Sequence, residues 1–387
     1  MDDHPVLDPL EGLRAPGDPG TDVYLTGTVF LDIIFTGLDT APVRGTESWA
    51  RGMGSSPGGV ANMATALARL GLRTTLAAAF GDDMYGDYCW ESLREGEGID
   101  LGPSRRIPGW HSPVTVSMAY EGERTMVSHG HQAPPPEEAV PACPPPARAA
   151  VASLGGDSAG QGGQGGAERY DWIAGAAASG TQVFADVGWD DTGRWDPADL
   201  AGLRHCAAFL PNAEEAVRYT RADGPREAAR RLAELVPLAV VTLGEQGAFA
   251  VDSANGETAE VPALAVEALD PTGAGDVFVA GFVTGTLAKW PLADRLAFAS
   301  LCAALSVQEF GGSLSAPGWI EIAGWWAQAK AYAGQAPGDR EALYRYGFLE
   351  ELLPAATRPW PLRRAVPTIG FRPADEQPGR PARNGEP

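Results

Sequence analysis

The segment Asp270-Pro271-Thr272-Gly273-Ala274-Gly275-Asp276 leads small residues up to a carboxylate and then into the apolar stretch Val277-Phe278-Val279-Ala280-Gly281-Phe282. Without bulky side chains at Gly273, Ala274 and Gly275, backbone N–H groups can approach an anion, and a helix starting there adds the positive end of its dipole. Asp276 stands where such a cradle opens. A carboxylate there could accept the proton of a hydroxyl while the neighbouring amides hold the charge developing on a phosphoryl group. At a helix start it should stay ionised and ready as a base. Taken alone, the segment also fits a tight turn with Asp276 as a helix cap.

Other positions join small residues to polar ones. In Gly58-Gly59-Val60-Ala61-Asn62-Met63-Ala64 the glycine pair permits close approach of a polar ligand, and Asn62 offers a donor and an acceptor to a hydroxyl. The same residues also suit an ordinary helix start. Asp32 ends Thr28-Val29-Phe30-Leu31-Asp32, where a charge in an apolar strand needs a ligand hydroxyl or solvent as partner. Pro211-Asn212-Ala213-Glu214-Glu215 follows an apolar run and opens a helical stretch. Asn212 and Glu215 then lie one turn apart, where the carboxylate could hold Mg²⁺-bound water near phosphates, or where the pair could close a capping box. No Gly-x-x-x-x-Gly-Lys-Ser/Thr loop occurs, so P-loop phosphate binding is not supported.

Apolar runs at 22–27, 74–80, 114–120, 183–185, 208–210, 238–243 and 248–251 read as strands, and Trp172-Ile173-Ala174 reads as another. Val60, Met63, Ala64, Leu67 and Leu70 recur at helical spacing before Gly71, and 91–95 and 226–235 also read as helical. Short buried strands alternating with helices predict an α/β fold with a doubly wound, mainly parallel central sheet flanked by helices. The runs 114–120 and 125–127 predict a hairpin turning at Glu121-Gly122-Glu123-Arg124. Composition predicts an unstructured tail at 1–21, a main domain at 22–320, and an exposed insertion at 134–166, Pro-rich and then Gly/Gln/Ser-rich. Beyond it, 321–387 reads as a helical extension with a Pro/Arg-rich tail.

Of the 387 residues, 29 are Lys or Arg and 50 are Asp or Glu, a formal charge of -21 that repels nucleic-acid backbones. No nucleic-acid partner is expected. Cys89, Cys143, Cys206 and Cys302 show no Cys-x-x-Cys spacing, which predicts reduced thiols rather than a zinc site or disulfides. The start Met1-Asp2-Asp3-His4-Pro5 lacks a basic, apolar leader, and no run has the length of a membrane span. The expectation is a soluble, cytoplasmic protein with no membrane partner.

The 270–276 segment resembles the C-terminal signature of the ribokinase-like (PfkB) family of carbohydrate kinases, and 58–64 followed by Leu70-Gly71 is similar to that family's N-terminal signature. The resemblance covers about residues 22–317, with Pro57 standing where many members have Gly. It implies a ribokinase-like fold with a small β-sheet lid from segments near 24–48 and 113–128, over a site at the strand C-terminal ends. It further implies Asp276 as catalytic base, the amides of Gly273, Ala274 and Gly275 as anion hole, and Asp32, Gly58, Gly59 and Asn62 as sugar contacts. Asn212 and Glu215 match the family's Asn-x-x-Glu element, with Glu215 reaching Mg²⁺ through water. Thr242-Leu243-Gly244-Glu245-Gln246-Gly247 resembles its nucleotide loop, which assigns Thr242, Gly244 and Gly247 to ATP. Residues 306–315, with Asp270 and Thr272, resemble the oxygen ligands of a monovalent cation, K⁺, in many relatives.

Gly81-Asp82-Asp83-Met84-Tyr85-Gly86 resembles a family turn whose role is structural. The expected reaction is transfer of the ATP γ-phosphoryl to a hydroxyl of a small sugar, and relatives often form homodimers through the lid. Glu123-Arg124-Thr125 resembles a strand of sugar kinases and favours a sugar. A nucleoside kinase of the same fold, or a catalytically silent sugar-binding or regulatory protein, remains the alternative.

Overall fold

The computed structural model describes residues 7–120, 123–131, 144–154, 171–190, 192–309, 311–332 and 339–353. The first half comprises β1 (Thr21–Thr26), β2 (Val29–Leu38), β3 (Gly52–Gly59), α1 (Val60–Arg69), β4 (Thr74–Ala77), β5 (Ala79–Gly81), α2 (Met84–Glu91), β6 (Arg105–Ile107), β7 (Val114–Tyr120) and β8 (Glu123–His129). Then follow β9 (Ala147–Leu154), α3 (Asp171–Ala178), β10 (Gln182–Val187), β11 (Ala208–Phe209), α4 (Ala213–Thr220), α5 (Pro225–Leu232), β12 (Leu238–Thr242), β13 (Ala248–Asp252) and β14 (Thr258–Val261). Helices α6 (Ala274–Leu287), α7 (Leu292–Ser306), α8 (Trp319–Ala331), α9 (Asp339–Arg345) and α10 (Leu349–Leu352) complete the described elements.

The central sheet has the order β14-β13-β12-β11-β10-β9-β1-β4. Its strands from β4 to β12 run parallel, and β13 and β14 add an antiparallel edge. Strand alternation sends side chains into two apolar layers. Val183, Ala185 and Val187 face a cluster with Ile173, Ala216 and Leu232 from α3, α4 and α5. Phe184, Val23 and Leu25 face one with Leu67, Phe282 and Phe298 from α1, α6 and α7. Burial on both faces is why the strands read as continuous apolar runs.

Helix α6 is apolar all round because it is enclosed; Val277 through Gly285 are all buried. At Gly281 a Cβ would lie 2.9 Å from the Cα of Ala299, so a side chain there would force α6 and α7 apart. Arrival of α6 at its observed depth therefore depends on that glycine. Separately, β3-β2-β7-β8 form a small four-stranded sheet, with β2 antiparallel to β3 and parallel to β7. Its β7–β8 hairpin pairs Val114 with His129 through Tyr120 with Glu123.

The structure departs from the sequence expectation in four places. The stretch 134–166 is not one exposed insertion, because Ala147–Leu154 is a buried strand in the middle of the central sheet, paired with both β1 and β10. Its alanines have little intrinsic β preference, and the pairing on both sides supplies it. Residues 134–143 and 155–166 of that stretch lie outside the described residues. Trp172-Ile173-Ala174 belongs to a helix, Asp171–Ala178, that covers β10; three apolar residues cannot tell a strand from a buried helical turn.

Residues 7–21 are not an unstructured tail. Leu10 is fully buried, Leu7 and Leu13 pack on the same core, and Arg14 pairs with Asp8 and Asp22. Leucines three apart were hidden among Asp, Pro and Gly. In the small sheet, Gly52–Gly59 supplies a strand that the expected lid segments omit, while Thr21–Thr26 belongs to the central sheet. A glycine-rich strand carries no alternating apolar signal. At the other end, Tyr346 and Leu349 are fully buried, and 354–387 lie outside the described residues.

Candidate active site

Helix α6 starts from Gly273, whose φ of 78° is left-handed. A Cβ there would also come within 3.3 Å of the Asn62 side chain, so two independent constraints keep residue 273 glycine. Asn62, in the first turn of α1, donates from Nδ2 to Asp276 Oδ2 at 3.0 Å. That bond joins the two glycine-led motifs across 214 positions of sequence. Asp276 is half-buried in the first turn of α6. Ala274 N–H turns to the Pro271 carbonyl at 3.3 Å, a long bond with which an anion could compete.

Asp32 enters the same place from β2. Its neighbours across the small sheet are Ser56 on β3 and Thr115 on β7. A Cβ at Gly58 would fall 1.9 Å from Asp32 Oδ2, so the missing side chain is what gives that carboxylate its room. Gly59 has a different reason: its φ is +63° and a Cβ would meet the Thr28 carbonyl at 2.4 Å. On the Asp32 face, Thr115 Oγ1 and Ser128 Oγ lie 2.9 Å apart. Ser56 Oγ, Asn62 Oδ1 and Ser117 Oγ are buried with no hydrogen-bond partner. Such atoms cost free energy unless a polar ligand or water meets them.

A second group gathers along the C-terminal edge of the central sheet. Asn212 and Glu215 form a capping box at the start of α4: Asn212 Oδ1 accepts from Glu215 N, and Glu215 Oε2 accepts from Asn212 N, both at 2.9 Å. The helix cap and the polar site are therefore the same residues. Burial pushes the Glu215 carboxyl up to about 7, against the hydrogen bonds from Asn212. Thr242 at the end of β12 bridges to Asn212, which places the two loops side by side. Gly244, left-handed at φ +58°, has open space where a Cβ would be; Gly247 is needed because a Cβ would lie 1.9 Å from the Val261 carbonyl. Packing accounts for Gly247.

One acid was missed by sequence reading. Asp186, at the end of β10, is held well above the usual carboxylate range by burial and by the charges of Glu215 and Asp276. Its signal, a polar residue ending a buried strand, was present in Val183-Phe184-Ala185-Asp186 but is common at strand ends.

The third group surrounds Asp270. Leu269 and Asp270 N–H both reach the Val307 carbonyl, at 2.7 and 3.1 Å, tying this loop to the end of α7. Asp270 Oδ1 accepts from Thr272 N at 3.0 Å. Asp270 Oδ2, Thr272 Oγ1 and Ser313 Oγ are buried oxygens without partners. Hard cations take such oxygens. Among the described residues no three His, Cys, Asp or Glu side chains converge as a metal cage. Among them, too, no helix is long and apolar enough to cross a membrane.

Fold and side chains together define an α/β protein that sets a carboxylate in the first turn of a glycine-led helix, bonded to an amide from a second glycine-led helix start. The family model described as pfkB family carbohydrate kinase matches residues 27–319, and the chain belongs to that family. It is 39% identical to a ribokinase of Schizosaccharomyces pombe over 33% of this chain and 45% of that protein. The chain thus spans about half the length of the first curated relatives it matches. With a nucleoside kinase of Methanothermobacter thermautotrophicus it shares 26% identity over 76% of this chain and 92% of that one. Its fold matches Arabidopsis thaliana ribokinase complexed with ribose and ATP at a TM-score of 0.63, with 22% identity, over 79% of this chain and 98% of that one.

Proposed function

We propose that the protein transfers the γ-phosphoryl group of ATP to a hydroxyl of a small sugar or sugar derivative. The observation that carries this reading is the 3.0 Å hydrogen bond from Asn62 to Asp276 at a glycine-led helix start. It sets a hydroxyl-binding amide beside a carboxylate and next to backbone N–H groups suited to phosphoryl oxygens. Asp276 accepts the hydroxyl proton; Asn62, Asp32 and the Gly58 clearing orient the acceptor; the amides of Gly273, Ala274 and Gly275 stabilise the equatorial oxygens.

Thr242 and Gly244 contact the nucleotide in this reading, supported by the bridge from Thr242 to Asn212 and the open space at Gly244. Glu215, with Asp186 close by, fits water-mediated contact to Mg²⁺, an ion that keeps several waters and takes carboxylate and phosphate oxygens. When bound, Mg²⁺ neutralises phosphate charge. The orphaned oxygens of Asp270, Thr272 and Ser313 fit K⁺.

Ser56 Oγ and Ser117 Oγ, buried and unpartnered, favour an acceptor rich in hydroxyls. Similarity to a nucleoside kinase over 76% of the chain keeps a nucleoside as the second reading. ATP turnover against a panel of pentoses, hexoses and nucleosides separates them. The expected outcome is Mg²⁺-dependent turnover of a sugar, faster in K⁺ than in Na⁺. Turnover of nucleosides alone would reassign the acceptor, and equal rates in both salts would remove K⁺.

A further inference from the structure

Arg69, the last residue of α1, is buried far from solvent and makes four hydrogen bonds. Its Nε and Nη2 pair with both oxygens of Glu97 at 2.9 and 2.8 Å. Its Nη1 donates to the carbonyls of Leu314 and Ala316 at 2.8 and 2.6 Å. The two side chains are 2% and 1% exposed. A buried ion pair is seldom a net source of stability, so its presence at this place calls for another reason.

The gripped loop supplies one. Residues 311–316 coil tightly, with Gly311 and Gly312 both at positive φ and Ser315 Oγ donating to the Gly312 carbonyl. A Cβ on Gly312 would stand 3.1 Å from Ser56 Oγ and 3.6 Å from Asn62 Oδ1. The loop therefore forms one wall of the acceptor site. Helix α1 carries Asn62 at one end and Arg69 at the other, so a single rigid element orients the amide beside Asp276 and holds the wall opposite it.

We infer that Arg69 is a positioning residue for phosphoryl transfer, setting loop 311–316 at the distance from Asn62 and Ser56 that the acceptor requires. This rests on the reading of Asn62 and Asp276 as the acceptor site. Arginine is needed because its planar fork serves a carboxylate and two carbonyls at once; a lysine nitrogen can keep the charge but not that geometry.

The test is Arg69→Lys, assayed well below its measured melting temperature. Expected is a rise of about tenfold or more in KM for the acceptor, the scale of one lost hydrogen bond, with KM for ATP within about twofold. Gly312→Ala, which pushes the same wall from the other side, should show the same split. The double variant should fall short of the product of the two, since both act on one loop. Unchanged acceptor KM in folded Arg69→Lys, equal rises for both substrates, or a fully multiplicative double variant would each overturn the inference. If Arg69→Lys does not fold, Glu97→Gln carries the comparison, with a smaller split expected and no split overturning. Failure of the underlying reading shows differently, as a wild-type protein that phosphorylates no acceptor at all.

Discussion

Asp276 has two jobs open to it, helix cap and base, and one substitution separates them. The Asn62 amide bonded to Oδ2 orients the carboxylate, and neither group lies inside the other's element. Asp276→Asn keeps the shape and loses the proton acceptor. Its kcat should fall by at least ~10²-fold, the low end for lost general-base catalysis, while Mg-ATP binding measured by calorimetry changes little. Near-normal kcat in the folded variant would return Asp276 to a structural role. Glu215 already has a structural job, since its capping bond to Asn212 fixes where its carboxylate sits.

At the scale of elements, the turn before α2 shows how a motif with no chemistry earns its residues. Asp83 caps α2 through Gly86 N at 2.8 Å and also holds the 110–112 loop through Ser112 N and Oγ, both at 2.8 Å. Burial alone would raise its carboxyl, but these hydrogen bonds, with His111, bring it below the ordinary value. A carboxyl with a lowered folded pKa adds stability above its unfolded pKa and loses it as pH falls through the folded one. Asp83→Asn should therefore cost about 1 kcal/mol at neutral pH. Urea melts of both proteins should show the gap closing as the pH falls below the usual carboxylate range. A gap that stays constant as the pH falls through and below the usual carboxylate range would refute the assignment.

Across the whole molecule, residues 319–353 brace the central layers. Trp319 donates from Nε1 to the Leu70 carbonyl at 2.9 Å, next to the Arg69 clamp, and Trp326 bonds Glu350 at 2.7 Å. Tyr346 and Leu349 add fully buried side chains to the cluster that contains α6 and α7. Ending the chain after Tyr332 uncovers that surface. Loss of two buried side chains costs about 4 kcal/mol, enough to lower Tm by ~5 °C or more in calorimetry. An unchanged Tm would mean that 339–353 packs without contributing.

Much of the site was legible because its backbone requirements are local. Glycines at 58, 59, 244 and 273 mark close approaches or left-handed turns, and a carboxylate after Gly273-Ala274-Gly275 marks a helix start, all within windows of a few residues. Apolar runs alternating with helical spacing likewise declared the doubly wound sheet. Partners distant in sequence were not legible. That Asn62 meets Asp276, that Asp186 feels both Glu215 and Asp276, and that Arg69 grips Leu314 and Ala316 follow from how layers stack, which no local pattern encodes. Strand β9 makes the same point for the fold. Its alanines and the leucines of 7–13 acquire their conformation from neighbours already in place, because burial against a finished surface outweighs weak intrinsic preference.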